Sequence, residues 1–465
     1  MFIQQLYTNC LAQAAYYIES DGVAAIIDPL RDYEMYINLA QSKKAEIKYI
    51  FETHFHADFV SGHIDLANKT GATIVFGPTA QTGFKSHIAN DGEVFLIGKI
   101  KIKVLHTPGH TPESSCYLLI DEEGKDNAIF TGDTLFVGDV GRPDLLDGLM
   151  SKETLAGMMY DSLHDKILKL DDEVIVYPAH GAGSACGKNI GKETFSTIGE
   201  QKHRNYALQQ MSKEQFIAKV TDGIQPAPAY FFKDATLNKQ GYPSFDGLME
   251  KGLKPLSVTE FEDEIKKVAT IIDTRIPDVF ENGFIPKSLN FGLNGQYAIW
   301  AATILDISQP IIIVAEIGKE KESIERLTRV GFDNIIGFLD GGFEAWRNTN
   351  KRFDMVISID DEEFELDTKH TETTILDVRK VGEYHVEHIS KAVNFPLDNL
   401  KNDFKKLDPE KEYLIHCAGG YRSMIAASFL KAQGFHRVKN VWGGYEKIKT
   451  LKLPITKAKS LVELN

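Results

Sequence analysis

The sequence predicts an α/β protein of three successive domains, a layered domain followed by two related parallel-sheet domains. Three observations predict this: the length of 465 residues, an alternation of strand-like and helical segments, and an internal repeat in the C-terminal half. At roughly 100–200 residues per domain, one hydrophobic core cannot serve the whole chain. We place the boundaries at 1–223, 224–255, 256–352 and 353–465, and expect 224–255 to be an inter-domain linker.

Apolar runs in the first part of the chain predict strands, and they alternate with segments of helical spacing. The predicted strands are "GVAAIID", "IKYIFETH", "ATIVFGP", "IKIKVLHTPG", "SSCYLLID", "NAIFTGD" and "DEVIVYPAHG". Helical spacing is found in "DYEMYINLAQSKK", "ETLAGMMYDSLHDKIL" and "KHRNYALQQMSKEQFIAKVTDG". Many strands with covering helices indicate a layered domain. The next segment, "IQPAPAYFFKDATLNKQGYPSFDG", is rich in Pro and Gly and lacks periodicity, which favours a packed linker.

The C-terminal half contains the repeat. The segment "ATIIDTRIPDVFENGFIPKSLNFGL" (269–293) matches "TTILDVRKVGEYHVEHISKAVNFPL" (373–397), and "GFLDGGFEAW" (337–346) matches "VKNVWGGYEKI" (438–448). A period of this length indicates duplicated domains rather than a solenoid. Each copy has an apolar strand followed by a helical segment, so we expect a parallel sheet with helices on both faces.

Composition argues against two classes of partner. The formal net charge is −14 and no Lys/Arg-rich stripe occurs, so we expect no nucleic-acid partner. No stretch approaches ~20 consecutive apolar residues, so we expect no membrane span, and the N-terminus lacks the basic region of a signal peptide. The cysteines are too far apart for a disulfide framework, which favours a reducing cytoplasmic location; they are Cys10, Cys116, Cys186 and Cys417.

Side chains that bind metals follow several predicted strands. In "YIFETHFHADFVSGH" (49–63), an apolar run leads into His54, His56 and Asp58. His54 and His56 share one side of an extended chain, because strand side chains repeat every two residues. Imidazole and carboxylate are standard metal donors, and three later strand ends, "VLHTPGHTPESS", "AIFTGDTLF" and "VYPAHGAGS", add His110, Asp133 and His180. This set predicts a metal site, whereas we interpret five further histidines as structural: His63, His87, His106, His164 and His203.

These segments resemble the successive motifs of the metallo-β-lactamase fold over about the first 200 residues, which implies an αββα sandwich. Hydrolases of that fold carry His-x-His-x-Asp-His and hold two metals, whereas this chain has Phe59 at the last position. Because a phenyl ring donates no lone pair, we expect one metal to remain, and the resemblance implies His54, His110 and Asp133 as its ligands. Two histidines and a carboxylate with open positions suit non-haem Fe(II), so the expected cofactor is one Fe(II) per chain.

The resemblance is more specific in "THFHADFVSGH", "FVGDVGRPDL" and "YPAHGAGSACG", which are similar to persulfide dioxygenases of this fold. Those enzymes oxidise the terminal sulfur of a thiol persulfide to sulfite with Fe(II) and O2. The resemblance implies that Arg142 and Tyr177 line the substrate pocket, with an ordinary surface ion pair as the alternative for Arg142. Cys186 is a candidate persulfide acceptor, with a buried inert thiol as an equal alternative. His56, Asp58 and His180 are then expected around the ligands, holding waters or ligand orientation.

A second candidate site lies in "YLIHCAGGYRSMIAASFL" (413–430), a strand, a small-residue loop and a helix. Cys417 ends the strand, and backbone N–H groups of the loop, the helix dipole and Arg422 should stabilise a thiolate or a persulfide there. The loop resembles the rhodanese active site, in which Cys417 and Arg422 are the candidate catalytic residues. The resemblance makes the rest of the loop substrate-binding, namely Ala418, Gly419, Gly420 and Tyr421.

The first copy of the repeat lacks this chemistry. Aligned on the second copy, "IIIVAEIGKEKES" places Ala315 at the position of Cys417, with Glu316 and Glu320 in place of a neutral cradle. No sulfur can be carried by an alanine, so this copy resembles an inactive rhodanese domain, expected to be a spacer or an oligomer contact.

The order of domains resembles bacterial fusions of a persulfide dioxygenase with rhodanese domains. That resemblance implies oxidation of a persulfide of glutathione, coenzyme A or bacillithiol by O2 to sulfite, and use of Cys417 to join sulfane sulfur and sulfite as thiosulfate, in sulfide detoxification. We also expect a homo-oligomer. Two alternatives stay open: a thiolester hydrolase of the glyoxalase II type with two metals, against which Phe59 argues, and a non-catalytic sulfur carrier or sensor.

Overall fold

The structure is a computed structural model that describes residues 1–145 and 149–458. The chain divides into two compact units, Met1–Phe245 with Thr328–Gly331, and Asp246–Leu327 with the chain from Phe332 onward. Residues 459–465, the end of the last predicted domain, lie outside the described residues. The first unit contains the predicted layered domain, and the second contains both predicted parallel-sheet domains apart from Thr328–Gly331.

Two six-stranded sheets form the centre of the first unit. The first sheet has the spatial order β1 to β6, antiparallel from β1 to β3 and parallel from β3 to β6: β1 (Phe2–Thr8), β2 (Gln13–Ser20), β3 (Val23–Ile27), β4 (Glu46–Phe51), β5 (Thr73–Phe76) and β6 (His87–Ile88). The second sheet has the order β12-β11-β10-β9-β8-β7: β7 (Val94–Ile97), β8 (Ile100–His106), β9 (Ser115–Ile120), β10 (Asp126–Gly132), β11 (Ile175–Pro178) and β12 (Ser196–Thr197).

The main core lies between these sheets. Alternate residues of both sheets point into it, among them Tyr16, Phe51, Tyr117 and Phe130, all essentially inaccessible to solvent. A second cluster, which includes Met159 and other side chains, packs helices onto the outer face of the second sheet. The helices of this unit are α1 (Glu34–Lys43), α2 (His63–Thr70), α3 (Lys152–Asp165), α4 (Ile198–Arg204), α5 (Lys213–Thr221) and α6 (Phe231–Gln240). Helices outside and sheets inside give the αββα sandwich, so that prediction is confirmed.

The segment 224–255, predicted as a packed inter-domain linker without periodicity, includes helical structure. It contains α6 and also α7 (Phe245–Gly252), where the division between the units falls. The Pro and Gly residues that suggested a linker lie outside the α6 helix, and Phe231, Asp234 and Asn238 on α6 are buried. Two of these buried residues are polar, so the helix shows no amphipathic pattern in the sequence. Tertiary packing stabilises it instead.

The second unit holds two copies of one parallel-sheet fold, in agreement with the repeat. The first copy has strand order β13-β17-β16-β14-β15, and the second has β18-β23-β22-β19-β21. The first copy comprises β13 (Pro255–Leu256), α8 (Val258–Lys266), β14 (Thr270–Asp273), α9 (Pro277–Phe280), β15 (Leu289–Asn290), α10 (Tyr297–Ile304), β16 (Ile311–Val314), α11 (Glu320–Thr328), β17 (Ile335–Leu339) and α12 (Gly342–Arg347).

The second copy comprises β18 (Ile357–Ile359), α13 (Asp361–His370), β19 (Thr373–Asp377), α14 (Val381–Val386), β20 (Glu387–Ile389), β21 (Val393–Asn394), α15 (Leu400–Asp403), β22 (Glu412–His416), α16 (Tyr421–Ala432), β23 (Val438–Val441), α17 (Gly444–Ile448) and β24 (Ile455–Lys457), with β20 and β24 paired separately. The same hydrogen bond occurs inside each copy. Asn290 donates to the carbonyl of Arg275, and Asn394 donates to that of Arg379. Within the described residues, no helix is both long and apolar enough to span a bilayer.

Candidate active sites

The loop after β4 carries the first histidines, and a buried aspartate fixes its conformation. Asp28, just beyond β3, accepts hydrogen bonds from the Thr53 backbone N–H and hydroxyl, both at 2.8 Å. Glu113 accepts from the Phe55 N–H at 3.1 Å. These two carboxylates hold the loop so that His54 and His56 lie beneath the surface, 1% and 0% exposed.

The first donor group consists of His54, His110 and Asp133. One donor atom from each lies within 4.8 Å of the others, and all three residues are buried. His110 Nδ1 lies 2.8 Å from the carbonyl of Arg142, which turns Nε2 toward Asp133 Oδ2 at 3.4 Å. His110 Nε2 and both Asp133 oxygens are buried without a hydrogen-bond partner. Buried polar atoms normally have hydrogen-bond partners. Potential ligand atoms that lie close together without such partners therefore fit a metal ion.

Burial governs the protonation of His54. Burial lowers the pKa of His54 well below its ordinary value, and the neighbouring imidazoles of His56 and His110 lower it further. A neutral imidazole is the form that binds a metal. The Thr53 hydroxyl lies 3.0 Å from His54 Nδ1, which orients the ring.

A second donor group adjoins the first and comprises His56, Asp58 and His180. His180 Nδ1 lies 3.2 Å from the carbonyl of Ala12, while Nε2 lies 3.4 Å from Asp58 Oδ2 and 3.6 Å from Asp133 Oδ1. Burial alone would lower the pKa of His180, and the two carboxylates reverse this, so its pKa is raised. Three buried side chains that could bind a metal therefore lie where a second metal ion would be held.

Phe59 occupies the place beside this second group. Its ring is inaccessible to solvent and packs on the His56 ring, with centroids 4.4 Å apart. His56 Nε2 instead faces carboxylates, 3.1 Å from Asp28 Oδ1 and 3.5 Å from Glu52 Oε2. Burial, and then Asp28, raise the pKa of Glu52 well above its ordinary value. Glu52 is thus a candidate proton holder that the sequence reasoning did not single out.

Asn238 on α6 is a second residue that sequence reasoning missed. Its side-chain amide donates to the carbonyls of His56 and Phe59, both at 2.7 Å, and its oxygen accepts from the Ser61 N–H at 2.9 Å. All of these atoms are buried. Since α6 lies in the segment predicted as a linker, nothing near Asn238 in the sequence signals the contact.

Arg142 and Tyr177, the predicted residues of the substrate pocket, both contact other parts of the protein. The Arg142 guanidinium is buried and forms a bidentate ion pair with Asp144, both bonds at 2.7 Å. It also donates to the carbonyls of Ala185 and Gln225. The Tyr177 ring stacks on Phe130 at 5.4 Å, in the core between the sheets. The substrate-binding role of both residues stays a prediction.

Cys186 lies beside two of the candidate metal ligands, Asp133 and His180. Its sulfur falls within 4.8 Å of donor atoms of Asp133 and His180, and the residue is 1% exposed. Burial, then Asp58 and Asp133, raise the pKa of the Cys186 thiol well above its ordinary value. A thiol with these neighbours is protonated at neutral pH. The phenol of Tyr230, buried just before α6, has its pKa raised by burial and by Asp58.

The Cys417 loop follows β22 and precedes α16, as predicted. The Gly420 N–H donates to Cys417 Sγ at 3.1 Å, and the Ser423 hydroxyl lies 3.6 Å from the sulfur. Gly420 has φ +104°, a conformation that side chains with a Cβ rarely adopt, so glycine is required where this N–H turns toward sulfur. The carbonyl of Cys417 accepts from the Tyr445 N–H at 2.7 Å, which ties the loop to α17.

Arg422 lies on the first turn of α16, and Glu383 on α14 neutralises it. Two bonds of 2.6 and 2.8 Å join the guanidinium to the carboxylate. Burial alone would raise the pKa of Glu383, and Arg422 reverses this, so the pKa of that carboxyl is lowered. In the first copy, Ala315 follows β16 at the equivalent position, 3% exposed.

Comparison with known proteins identifies two kinds of domain in the chain. The Metallo-beta-lactamase superfamily profile matches residues 8–180, and the Rhodanese-like domain profile matches 257–349 and 361–451. A crystal structure of a metallo-beta-lactamase from Staphylococcus aureus subsp. aureus COL is 32% identical, with a TM-score of 0.65, and the match covers 73% of this chain and 98% of that chain. ETHE1 from Myxococcus xanthus is 27% identical with a TM-score of 0.45, covering 52% of this chain and 99% of that chain.

Curated relatives match the first part of the chain. The probable hydroxyacylglutathione hydrolase SPCC13B11.03c of Schizosaccharomyces pombe is 32% identical over 165 residues, which are 35% of this chain and 60% of the relative. The chain therefore spans about three fifths of the length of that relative. These relatives share the layered domain and leave the remainder of the chain unmatched.

Proposed function

The chain belongs to the metallo-beta-lactamase superfamily and continues into two rhodanese-like domains, and on that premise we propose that it oxidises thiol persulfides and transfers their sulfane sulfur. The first reaction is R–S–SH + O2 + H2O → R–SH + SO3²⁻ + 2 H⁺. In the second, the Cys417 thiolate takes sulfane sulfur from a persulfide, and sulfite attacks that outer sulfur and leaves as thiosulfate. Together the reactions would remove sulfide-derived sulfur.

The observation that carries the oxidation is the donor set His54, His110 and Asp133 beside an aromatic Phe59. Two imidazoles and one carboxylate with open positions suit Fe(II), which when bound supplies the redox chemistry with O2. The Thr53 hydroxyl and the Arg142 carbonyl orient the two imidazoles from behind. Zinc, with no accessible second oxidation state, would not support this reaction.

Buried groups around the donors favour a dry reaction site. Glu52, whose pKa is raised by burial, and His56 lie 3.5 Å apart and offer a place for a proton inside the site. Asn238 and α6 cover the loop that carries the donors. Exclusion of water by such a cover would protect a persulfide from side reactions.

The second reaction rests on the sulfur environment of Cys417. A backbone N–H at 3.1 Å and a hydroxyl at 3.6 Å give the sulfur polar partners suited to an anionic thiolate or persulfide. One product of the first site, sulfite, is the acceptor at the second, so joining both sites in one chain raises its local concentration. All four cysteines are free thiols, which fits a reducing cytoplasm.

A thiolester hydrolase with two metals is the second candidate. The group His56, Asp58 and His180 favours it, because three buried donors lie within 4.8 Å at the second position, and curated relatives are named hydroxyacylglutathione hydrolases. Phe59 argues against it, since the second metal loses one imidazole. Metal content and substrate therefore separate the two candidates.

The test uses the full chain loaded anaerobically with Fe(II) or with Zn(II). We expect oxygen uptake with glutathione persulfide only from the iron form, with one sulfite formed per O2, and no hydrolysis of S-lactoylglutathione by either form. Cys417→Ser should keep the oxygen uptake and lose thiosulfate formation. Two bound zinc ions with thiolester cleavage, and no oxygen uptake by the iron form, would establish the hydrolase instead.

A further inference from the structure

A buried histidine directly precedes Cys417, and each of its ring nitrogens lies near an oxygen. His416 ends β22, is 0% exposed, and has Nδ1 3.3 Å from the carbonyl oxygen of Cys417. Its Nε2 is buried without a hydrogen-bond partner, 3.8 Å from Oδ2 of Asp377 on the neighbouring strand β19. Buried side chains normally have all their polar atoms paired, so this ring needs an explanation.

The carbonyl of Cys417 is the atom through which the ring can act. It also accepts from the Tyr445 N–H at 2.7 Å, and the next carbonyl, that of Ala418, accepts from the Glu446 N–H at 3.0 Å. A carbonyl oxygen that turned toward the sulfur would repel an anionic thiolate or persulfide. Oxygens held by these donors are not free to turn in that way.

The first rhodanese-like copy provides an internal comparison, because its strands have the same register here. Asp377 pairs with His416 across β19 and β22, and Asp273 pairs with Val314 across β14 and β16. In both copies, the aspartate accepts at 2.6 Å from the arginine two residues later. The aspartate and its arginine therefore belong to the shared fold. The imidazole occurs only in the copy with a cysteine, whereas valine precedes Ala315 in the other.

The charges around His416 favour a ring that donates from Nδ1. Arg379 neutralises Asp377 through bonds of 2.6 and 2.9 Å and lies over the Tyr445 ring, 3.9 Å from its centroid. Burial lowers the pKa of His416 below its ordinary value, against the opposing effect of Asp377. A neutral ring has a single N–H. The nearer acceptor is the Cys417 carbonyl, since Asp377 lies farther away and is already paired.

We propose that His416 is a positioning residue for sulfur transfer, whose Nδ1–H holds the Cys417 carbonyl and so keeps the loop in the form that stabilises anionic sulfur. In that form the Gly420 N–H donates to the sulfur, the Ser423 hydroxyl lies beside it, and Arg422 follows on the first turn of α16. The ring acts through the backbone and contacts no substrate. This inference rests on the proposed sulfur transfer at Cys417.

The experiment titrates Cys417 in the full-length protein without substrate, from the ultraviolet absorbance of the thiolate taken as the difference from Cys417→Ser. His416→Val introduces the residue of the first copy and should move the titration to higher pH. His416→Asn keeps an N–H donor near the place of Nδ1 and should restore most of the wild-type titration. Thr373→Val is the matched control, because it removes a buried, unpartnered hydroxyl at the far end of the same strand pair.

Rates measured without oxygen connect this titration with the reaction G–S–SH + SO3²⁻ → G–SH + S2O3²⁻, where G–SH is glutathione. At neutral pH, kcat/KM for glutathione persulfide should fall about three- to tenfold in His416→Val, the effect of one lost hydrogen bond on the thiolate fraction. At high pH the difference from wild type should disappear, since the thiol is then ionised in both proteins. His416→Asn and Thr373→Val should stay close to wild type throughout.

An unchanged Cys417 titration in His416→Val would overturn the inference. Equal shifts in the Val and Asn variants would overturn it too, because packing alone would then explain both. If circular dichroism shows that His416→Val does not fold, His416→Leu, which has the shape of Asn without its N–H, takes its place. The proposed transfer fails separately: thiosulfate formation by Cys417→Ser would refute it, whereas the titration without substrate judges only His416.

Discussion

His110 Nε2 lies 3.4 Å from Asp133 Oδ2, and both atoms are buried with no hydrogen-bond partner. Burial of two polar atoms without hydrogen-bond partners is unfavourable in free energy, unless a cation binds between His110, Asp133 and His54. The contact therefore marks these atoms as candidate metal ligands.

Replacement of either residue should release the metal. We expect His110→Ala and Asp133→Ala to lower bound iron at least about tenfold and to abolish oxygen uptake, since even residues that only support ligands alter affinity by such factors. Elemental analysis of the purified chain measures this, with His203→Ala on the exposed end of α4 as control. Retained iron and activity in both variants would show that other residues bind the metal.

Phe59→His should complete the second metal position. The other donors, His56, Asp58 and His180, already lie within 4.8 Å of one another, and an imidazole would replace the phenyl ring packed on His56. We expect the metal content to rise from one ion toward two per chain and the persulfide oxidation to fall, because a second ion alters the open positions of the first. Two ions already bound by wild type, or an unchanged ratio in the variant, would contradict this role of Phe59.

The sequence predicts the candidate metal ligands, which the structure brings together, because each follows a strand of a recognisable sheet. It singles out Cys417 because strand, glycine loop and helix are contiguous. Asn238 was not predictable, since its contacts with His56 and Phe59 arise only when α6 folds over a loop distant in the chain. The same limit applies to the contacts of Arg142 with the carbonyls of Ala185 and Gln225, which lie 43 and 83 residues away in the chain.

Asn238→Ala should weaken both the fold and metal binding. It removes three buried hydrogen bonds and leaves the carbonyls of His56 and Phe59 without the amide, a loss of about 3 kcal/mol in unfolding free energy. Chelator competition should show metal affinity reduced about 10- to 100-fold. Thr236→Ala on the exposed side of the same helix is the control, and equal stability of the two variants would refute the assignment.

Glu383→Gln should strengthen the binding of anionic sulfur compounds near Cys417. The carboxylate neutralises Arg422 through two hydrogen bonds, and the pair is partly exposed, so the effect is modest. We expect the KM for thiosulfate as sulfur donor to fall roughly two- to fivefold, and to rise again with salt. Glu365→Gln, which breaks a helical surface pair with Lys369, should change nothing; an unchanged KM in Glu383→Gln would mean that Arg422 does not contact the anion.

His63 gives the first unit a stability that depends on pH. It is fully buried among Phe76, Phe84 and Tyr242, and burial, then His56, lower its pKa to about 3. Between pH 6.5 and about 3, the unfolded chain therefore binds a proton that the folded chain does not, so the unfolding free energy falls as the pH falls. Above pH 6.5 both states are neutral and this contribution is constant.

His63→Phe removes that titration and suits the aromatic surroundings. From pH 7.5 to 5, metal-free wild type should lose about 2 kcal/mol more unfolding free energy than the variant. Urea titrations followed by far-ultraviolet circular dichroism measure this, while tryptophan fluorescence reports the second unit alone, because Trp300, Trp346 and Trp442 all lie there. Equal losses in both proteins would mean that His63 is protonated in the fold and paired with the Glu52 carboxylate, whose Oε1 lies 3.5 Å from its Nδ1.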